Sequence, residues 1–174
     1  QPAATGSVNA EDGVRYLTVT GKNFTYRYDK FAGVFSSMEF NGESLLNQPM
    51  EVNTWRAPTD NDRNIKNVWM GASYNRTSTR AYSTTWEVTG TGMTIRSTMS
   101  VTAIILQRMM DIETVWTVDA SGIVTVEMDV KKNPEFPVLP RFGLRLFLPS
   151  AMENVSYFGI GPNESYRDKR QFFC

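Results

Sequence analysis

An antiparallel β-sandwich is the fold class the sequence predicts, and three observations carry the prediction. Apolar and polar residues alternate at period two through run after run, and Gly, Asn and Asp stand where the alternation stops. Only one stretch, Arg63 to Tyr74, switches to helical spacing. Successive side chains of a strand point to opposite faces, so a sheet with one buried and one wet face writes exactly such a pattern into its sequence. About ten strands with long hairpins and almost no helix argue for a large sandwich, and no fixed-period repeat suggests a solenoid or propeller.

The elements follow in order. Residues 1–12 are read as a linker, since the opening is rich in Ala, Pro, Gly and Ser, and 13–174 as the domain. Val14 to Thr20 and Phe24 to Asp29 form a hairpin about the turn Gly21-Lys22. Val34 to Phe40 extends the meander, and Asn41-Gly42 is a strong turn signal after it. Tyr82, Thr84, Trp86 and Val88 then share an inward face, followed by Met93 to Val101 and by Met110, Ile112, Thr114, Trp116 and Val118. The turns Gly90-Thr91-Gly92 and Ala120-Ser121-Gly122 separate these runs. Val124, Val126, Met128 and Val130 face inward in the next strand, and Phe142, Leu144, Leu146 and Leu148 in the last. In Arg63 to Tyr74 the residues Ile65, Val68, Trp69 and Ala72 predict one short helix, with Asn61 or Asp62 as its N-cap.

Composition narrows the function. The 174 residues suffice for a core without disulfide or metal. Lys+Arg and Asp+Glu are both 18, which leaves no net basic charge for nucleic acid or anionic lipid. No window approaches the ~20 apolar residues of a spanning helix, so neither a nucleic-acid nor a membrane partner is expected. The single cysteine, Cys174, cannot form an intrachain disulfide. Histidine is absent, which removes the commonest general base and the commonest zinc ligand.

Two segments are dense in chemistry. In Asp60-Asn61-Asp62-Arg63-Asn64 oxygen ligands alternate as in a calcium loop, but Ile65 and Gly71 stand where that loop needs Gly and a bidentate Glu. A looser divalent site and an Asx-turn leading into a helix both remain open. Asp60 and Asp62 could be imagined as a catalytic pair, about 6–7 Å apart in an extended segment. A glycosidase pair needs opposed environments, and two acids in one polar loop lack them. Arg56, beside Trp55, suits a bidentate pair with a carboxylate while its stem packs on an aromatic ring. In the second segment, Tyr157 to Asp168, the glycines Gly159 and Gly161 lack the Lys-Ser/Thr of a phosphate loop and the third glycine of a dinucleotide fingerprint. Glu164, Tyr166, Arg167 and Asp168 there make either a sugar contact or a buried turn network. Of the four tryptophans, Trp86 and Trp116 sit at inward parity, while Trp69 stays open as a platform on which a sugar stacks.

Three ordered segments carry a resemblance. Trp55-Arg56-Ala57-Pro58-Thr59-Asp60-Asn61-Asp62, Pro140-Arg141-Phe142-Gly143-Leu144, and Gly159-Ile160-Gly161-Pro162-Asn163-Glu164-Ser165-Tyr166-Arg167-Asp168 resemble signatures of the C-terminal small-chain domain, domain 5, of family 2 glycoside hydrolase β-galactosidases. The resemblance implies a galactose-mutarotase-like supersandwich, here truncated, that supports a catalytic barrel and helps shape its sugar site. The catalytic glutamates of that family lie on the barrel, so it implies no catalytic residue and no cofactor in this chain, with cations bound on other domains. Substrate or interdomain contact is then expected of Arg56, Asp60, Asn61, Asp62, Glu164 and Tyr166. The other domains of the parent polypeptide are the expected partner, a second copy can pair at exposed strand edges, and a bacterial cytoplasm or periplasm is the implied location. A carbohydrate-binding sandwich module is the alternative.

Overall fold

The computed structural model describes residues 6–103 and 107–158. Among them the chain forms eleven strands and one short α-helix, arranged as antiparallel sheets. Strands β1 (Asn9–Asp12), β2 (Tyr16–Thr20), β3 (Phe24–Asp29), β4 (Val34–Phe40) and β5 (Glu43–Ser44) lie side by side in chain order. After β6 (Gln48–Asn53), a 3-10 turn at Asp60–Asp62 leads to α1 (Lys66–Gly71). Strands β7 (Thr77–Thr89), β8 (Gly92–Ala103), β9 (Arg108–Asp119) and β10 (Val124–Lys132) make a second meander, and β11 (Gly143–Phe147) returns to pair with β6.

The two large sheets face each other. Leu17, Val19, Tyr26, Tyr28, Phe35 and Met38 from the first pack on Met93, Ile95, Trp116 and Val118 from the second. Because β8 and β9 are twelve residues long, their other halves extend past the first sheet. There Met99, Val101, Met110 and Ile112 are covered by Trp69 and Ala72 of the helical segment, by Tyr74, and by Phe136, Leu139 and Phe142 of the following loop. One sheet face therefore serves two cores, and the helix seals the second.

The alternation reads through most of this. Met110, Ile112, Thr114, Trp116 and Val118 are all buried, and β10 alternates without a break. Asn41 and Gly42 both have positive φ, as the tight hairpin between β4 and β5 requires.

Four expectations are corrected. Residues 9–12, read as linker, form an edge strand paired with β2; all four are exposed polar or small residues, so backbone pairing holds them and no apolar alternation announces it. Tyr82 faces outward and is 53% exposed, because a bulge between Ala81 and Ser83 inserts it as an extra residue and flips the parity. Thr84 and Trp86 beyond the bulge are half-buried as expected, while Val88 is exposed at the strand end. Leu146 is exposed where the pairing becomes irregular, β6 advancing three residues from Glu51 to Gln48 against two from Arg145 to Phe147, and Leu148 lies exposed past the strand. Finally, the helix starts at Lys66, with Ile65 at its N-cap and no side-chain cap. Asn61 and Asp62 belong to the preceding 3-10 turn, where Asp62 reaches back to Thr59.

The turn between β9 and β10 locks the sheets together. Asp119 Oδ1 accepts from the Ser121 N–H and hydroxyl and from the Ile123 N–H, and Gly122, at φ +89°, offers its carbonyl to the Tyr26 hydroxyl at 2.8 Å. A Cβ at Gly122 would meet the Phe24 ring and the Tyr26 oxygen at 3.0 Å. Gly122→Ala is therefore expected to cost about 1–3 kcal/mol in urea unfolding through strain and lost closure. A neutral result would show that the turn can reopen without loss.

Candidate functional site

The segment after β6 is built around one ion pair. Asn53 holds the chain as it leaves the strand, donating from Nδ2 to the Trp55 carbonyl and accepting the Trp55 N–H. That bend sends Arg56 across the loop, where Nη1 and Nη2 donate to Asp62 Oδ2 and Oδ1, the second at 2.9 Å. Its Nε donates to the Pro140 carbonyl at 3.2 Å, and the guanidinium lies 5.2 Å from the centre of the Trp69 ring. The bidentate pair and the aromatic packing read from the sequence are both present.

Asp62 is 8% exposed and also accepts from the Thr59 N–H and hydroxyl. The Arg56 guanidinium, then the Thr59 N–H, hold its carboxyl well below the usual carboxylate range, against a smaller opposing effect of burial. Oδ2 accepts three of its four hydrogen bonds and Oδ1 the fourth, so it stands as the ionised partner of Arg56 and not as a proton donor. Asp60 and Asn61 are exposed, and the Asp60 carboxylate makes no hydrogen bond among the described residues. The looser divalent site therefore loses its central ligand. Among the described residues no three acidic, cysteine or histidine side chains converge as a metal group would require.

Trp69, left open as a sugar platform, is core: it is 4% exposed, and its Nε1 donates to the Val138 carbonyl at 2.9 Å. The loop over residues 133–142 covers it, and that loop carries no periodic signal by which its position could be foreseen. Glu164 and Tyr166 lie outside the described residues.

Beside the clamp opens a cleft of about 690 Å³, lined by Asn53, Trp55, Arg56, Arg141, Leu144 and Arg145 among others. It forms because β11 pairs with β6 in the register Gly143↔Asn53 and Leu144↔Val52, which brings Arg141 and Arg145 to the same rim as Trp55. Asn53, Trp55, Thr59, Arg141 and Arg145 were not singled out as site residues by sequence reasoning. The signal for the arginines was the Pro140 to Leu144 segment, visible as a signature but not as a neighbour of a loop more than eighty residues away.

Residues 20–172 match the sequence profile of the family described as beta galactosidase small chain. The chain belongs to that family. Among its relatives, a β-galactosidase of Actinobacillus pleuropneumoniae is 38% identical over 159 residues, covering 91% of this chain and 16% of that protein. Those of Staphylococcus xylosus and Lactobacillus delbrueckii subsp. bulgaricus are 34% and 32% identical, covering 86% and 88% of this chain but 15% of each protein. The chain thus spans less than one fifth of the length of these relatives. The matched range takes in the ion-pair loop, the β11 rim and the segment that holds Glu164 and Tyr166. No helix among the described residues is long and apolar enough to cross a membrane.

Proposed function

We propose that this domain is a non-catalytic part of a family 2 β-galactosidase-type glycoside hydrolase, which supports the catalytic barrel and helps shape the opening to its sugar site. The parent reaction is hydrolysis of terminal β-galactosides. The observation that carries the reading is the Arg56–Asp62 clamp at the edge of an open, arginine-rimmed cleft. A carboxylate locked in a bidentate pair holds shape and does no proton transfer, whereas a fixed loop beside a cleft suits contact with a neighbouring domain. The names of the relatives and the small share of their length that this chain covers support the same reading.

The isolated 174-residue chain is expected to give no turnover of a nitrophenyl β-galactoside. Hydrolysis lost in Asp60→Asn or Glu164→Gln would overturn the proposal. One observation favours the carbohydrate-binding alternative, namely that Trp55 lines the cleft with Asn53 and Arg141. Under it, galactose or lactose would shift the NMR signals of Trp55 saturably; under the reading preferred here millimolar sugar leaves them unchanged.

A further inference from the structure

We propose that Arg80, Tyr82 and Arg108, on the outer face of the four-stranded sheet, form a binding site for an oxyanion group, independent of the cleft and of the galactosidase reading. Two bulges, opposite Thr98–Met99 and Val101–Thr102 of the shared neighbour β8, build it. The first inserts Tyr82 into β7 between Ala81 and Ser83 and turns its ring outward. The second falls in β9: Thr102 pairs with Arg108 and Val101 with Met110, so that Met109 is extra, both methionines point into the core, and Arg108 emerges on the outer face. Bulges cost ladder pairing, and they recur where a side chain must be re-aimed.

The re-aimed side chains converge. The guanidinium carbons of Arg108 and Arg80 lie 5.0 and 5.7 Å from the centre of the Tyr82 ring. The phenol hydroxyl shares a 3.0 Å hydrogen bond with Ser100, which sits fully buried beneath. That bond and the Arg108 charge pull the Tyr82 phenol below its ordinary range, the sign expected of a positive local field.

The charges do not balance. Arg108 is paired with Asp111 at 2.9 Å, and Lys131 approaches Glu113 at 3.9 Å. Arg80 has no carboxylate partner among the described residues, although it stands in the cross-strand row Arg80, Ser100, Asp111. Arg80, with its whole planar fork, and Arg108, with the donors that Asp111 leaves, flank the same Tyr82 ring, and with Ser100 as donor to the phenol oxygen the Tyr82 proton adds a third direction. Planar carboxylates and tetrahedral sulfate or phosphate both fit that chemistry. The group can come from a free ion or from an acidic side chain of a neighbouring polypeptide segment.

The test is titration of the 13C-tyrosine-labelled chain with sodium sulfate and with sodium acetate, at ionic strength held constant with chloride. A saturable shift confined to Tyr82, about tenfold weaker in Arg80→Gln, is expected, since one charge-assisted hydrogen bond is lost. Tighter sulfate than acetate identifies a free tetrahedral oxyanion; acetate at least as tight identifies a polypeptide carboxylate. Arg80 is exposed, so its variant should keep the wild-type near-ultraviolet signature. A second variant, Tyr82→Phe, keeps the ring and should weaken binding while the shift is followed at the Arg80 Nε–H. A linear drift that is equal in Arg80→Gln, or a shift spread over other exposed tyrosines such as Tyr157, would overturn the proposal.

Discussion

Replacing Trp116 by alanine is expected to remove about 3–5 kcal/mol of stability, a large fraction of the roughly 5–15 kcal/mol typical of a folded domain. Trp116 is 1% exposed at the middle of β9, between Ile95 on one neighbouring strand and Val126 on the other. Across the sandwich it meets Phe35 edge-on at 5.3 Å and Tyr28 at 6.2 Å, so a single ring ties β9 to β3 and β4. Its loss leaves a cavity that three fixed strands cannot collapse to fill. Tyr28 shares the same layer: burial pushes its phenol up to about 12, partly offset by the Ser97 hydroxyl at 2.9 Å. The indole N–H of Trp116, by contrast, closes no well-formed hydrogen bond among the described residues, although it lies near enough to the Tyr28 hydroxyl to help lower that phenol. An orphaned buried donor costs about 1–3 kcal/mol, so Trp116→Phe, which keeps an edge-on ring and removes the donor, should cost much less than the alanine variant. Urea unfolding followed by far-ultraviolet circular dichroism, with unchanged slope, checks both. Equal losses in the two variants would mean that the six-membered ring of the phenyl group does not reproduce the contact with Phe35.

The contrast between Trp116 and Trp69 shows where sequence patterning carries information. Trp116 belongs to an unbroken alternation from Met110 to Val118, and a strand with one buried face fixes the parity of every residue on it. Trp69 lies on a six-residue helix, too short for its face to be assigned by period, and it is buried by a loop whose only marks are Asn133, Pro134, Pro137 and Pro140. Tyr82 fails for a third reason. A bulge adds one residue and reverses parity, yet the residues on either side of it still alternate, so the sequence looks regular through the break. At Leu146 the irregularity is in the partner β6, which the residues of β11 do not display. In the candidate site the Arg56–Asp62 pair was legible because both partners sit within seven residues and suit one another chemically. The far rim of the cleft was not, because Arg141 and Arg145 arrive through the pairing of β11 with β6 across the whole second meander. Long-range register decides such sites, and one sequence does not display it.

The clamp itself makes the second prediction, in the pH dependence of Asp62→Asn. The carboxyl of Asp62 is held below its ordinary range first by Arg56 and then by the Thr59 N–H. A group whose folded pKa is depressed contributes its stability above the unfolded value, here 3.8, and loses it as pH falls toward the folded value. Wild-type chain should therefore be more stable than Asp62→Asn at neutral pH, and the two stability curves should draw together progressively as pH falls below the unfolded value of 3.8 toward the depressed folded value. Over that interval unfolding of the wild type takes up about one more proton than unfolding of the variant. Asp119, whose hydrogen bonds from Ser121, Ile123 and Gly122 outweigh the opposing effect of its burial, titrates in the same acid range, but it is common to both chains and cancels. Asp60→Asn is the control at neutral pH: its side chain is exposed and takes no part in the clamp, so this variant should keep the wild-type stability there. Parallel curves for wild type and Asp62→Asn would show that the pair orders the loop without contributing to folding. In that case the Thr59 amide should still exchange faster in the variant, because Asp62 is its acceptor at 2.8 Å. Convergent curves would instead tie the shape of the cleft rim to the stability of the sandwich, since the bidentate pair with Asp62 is what joins Arg56, which also reaches Pro140 and Trp69, to the Thr59 turn.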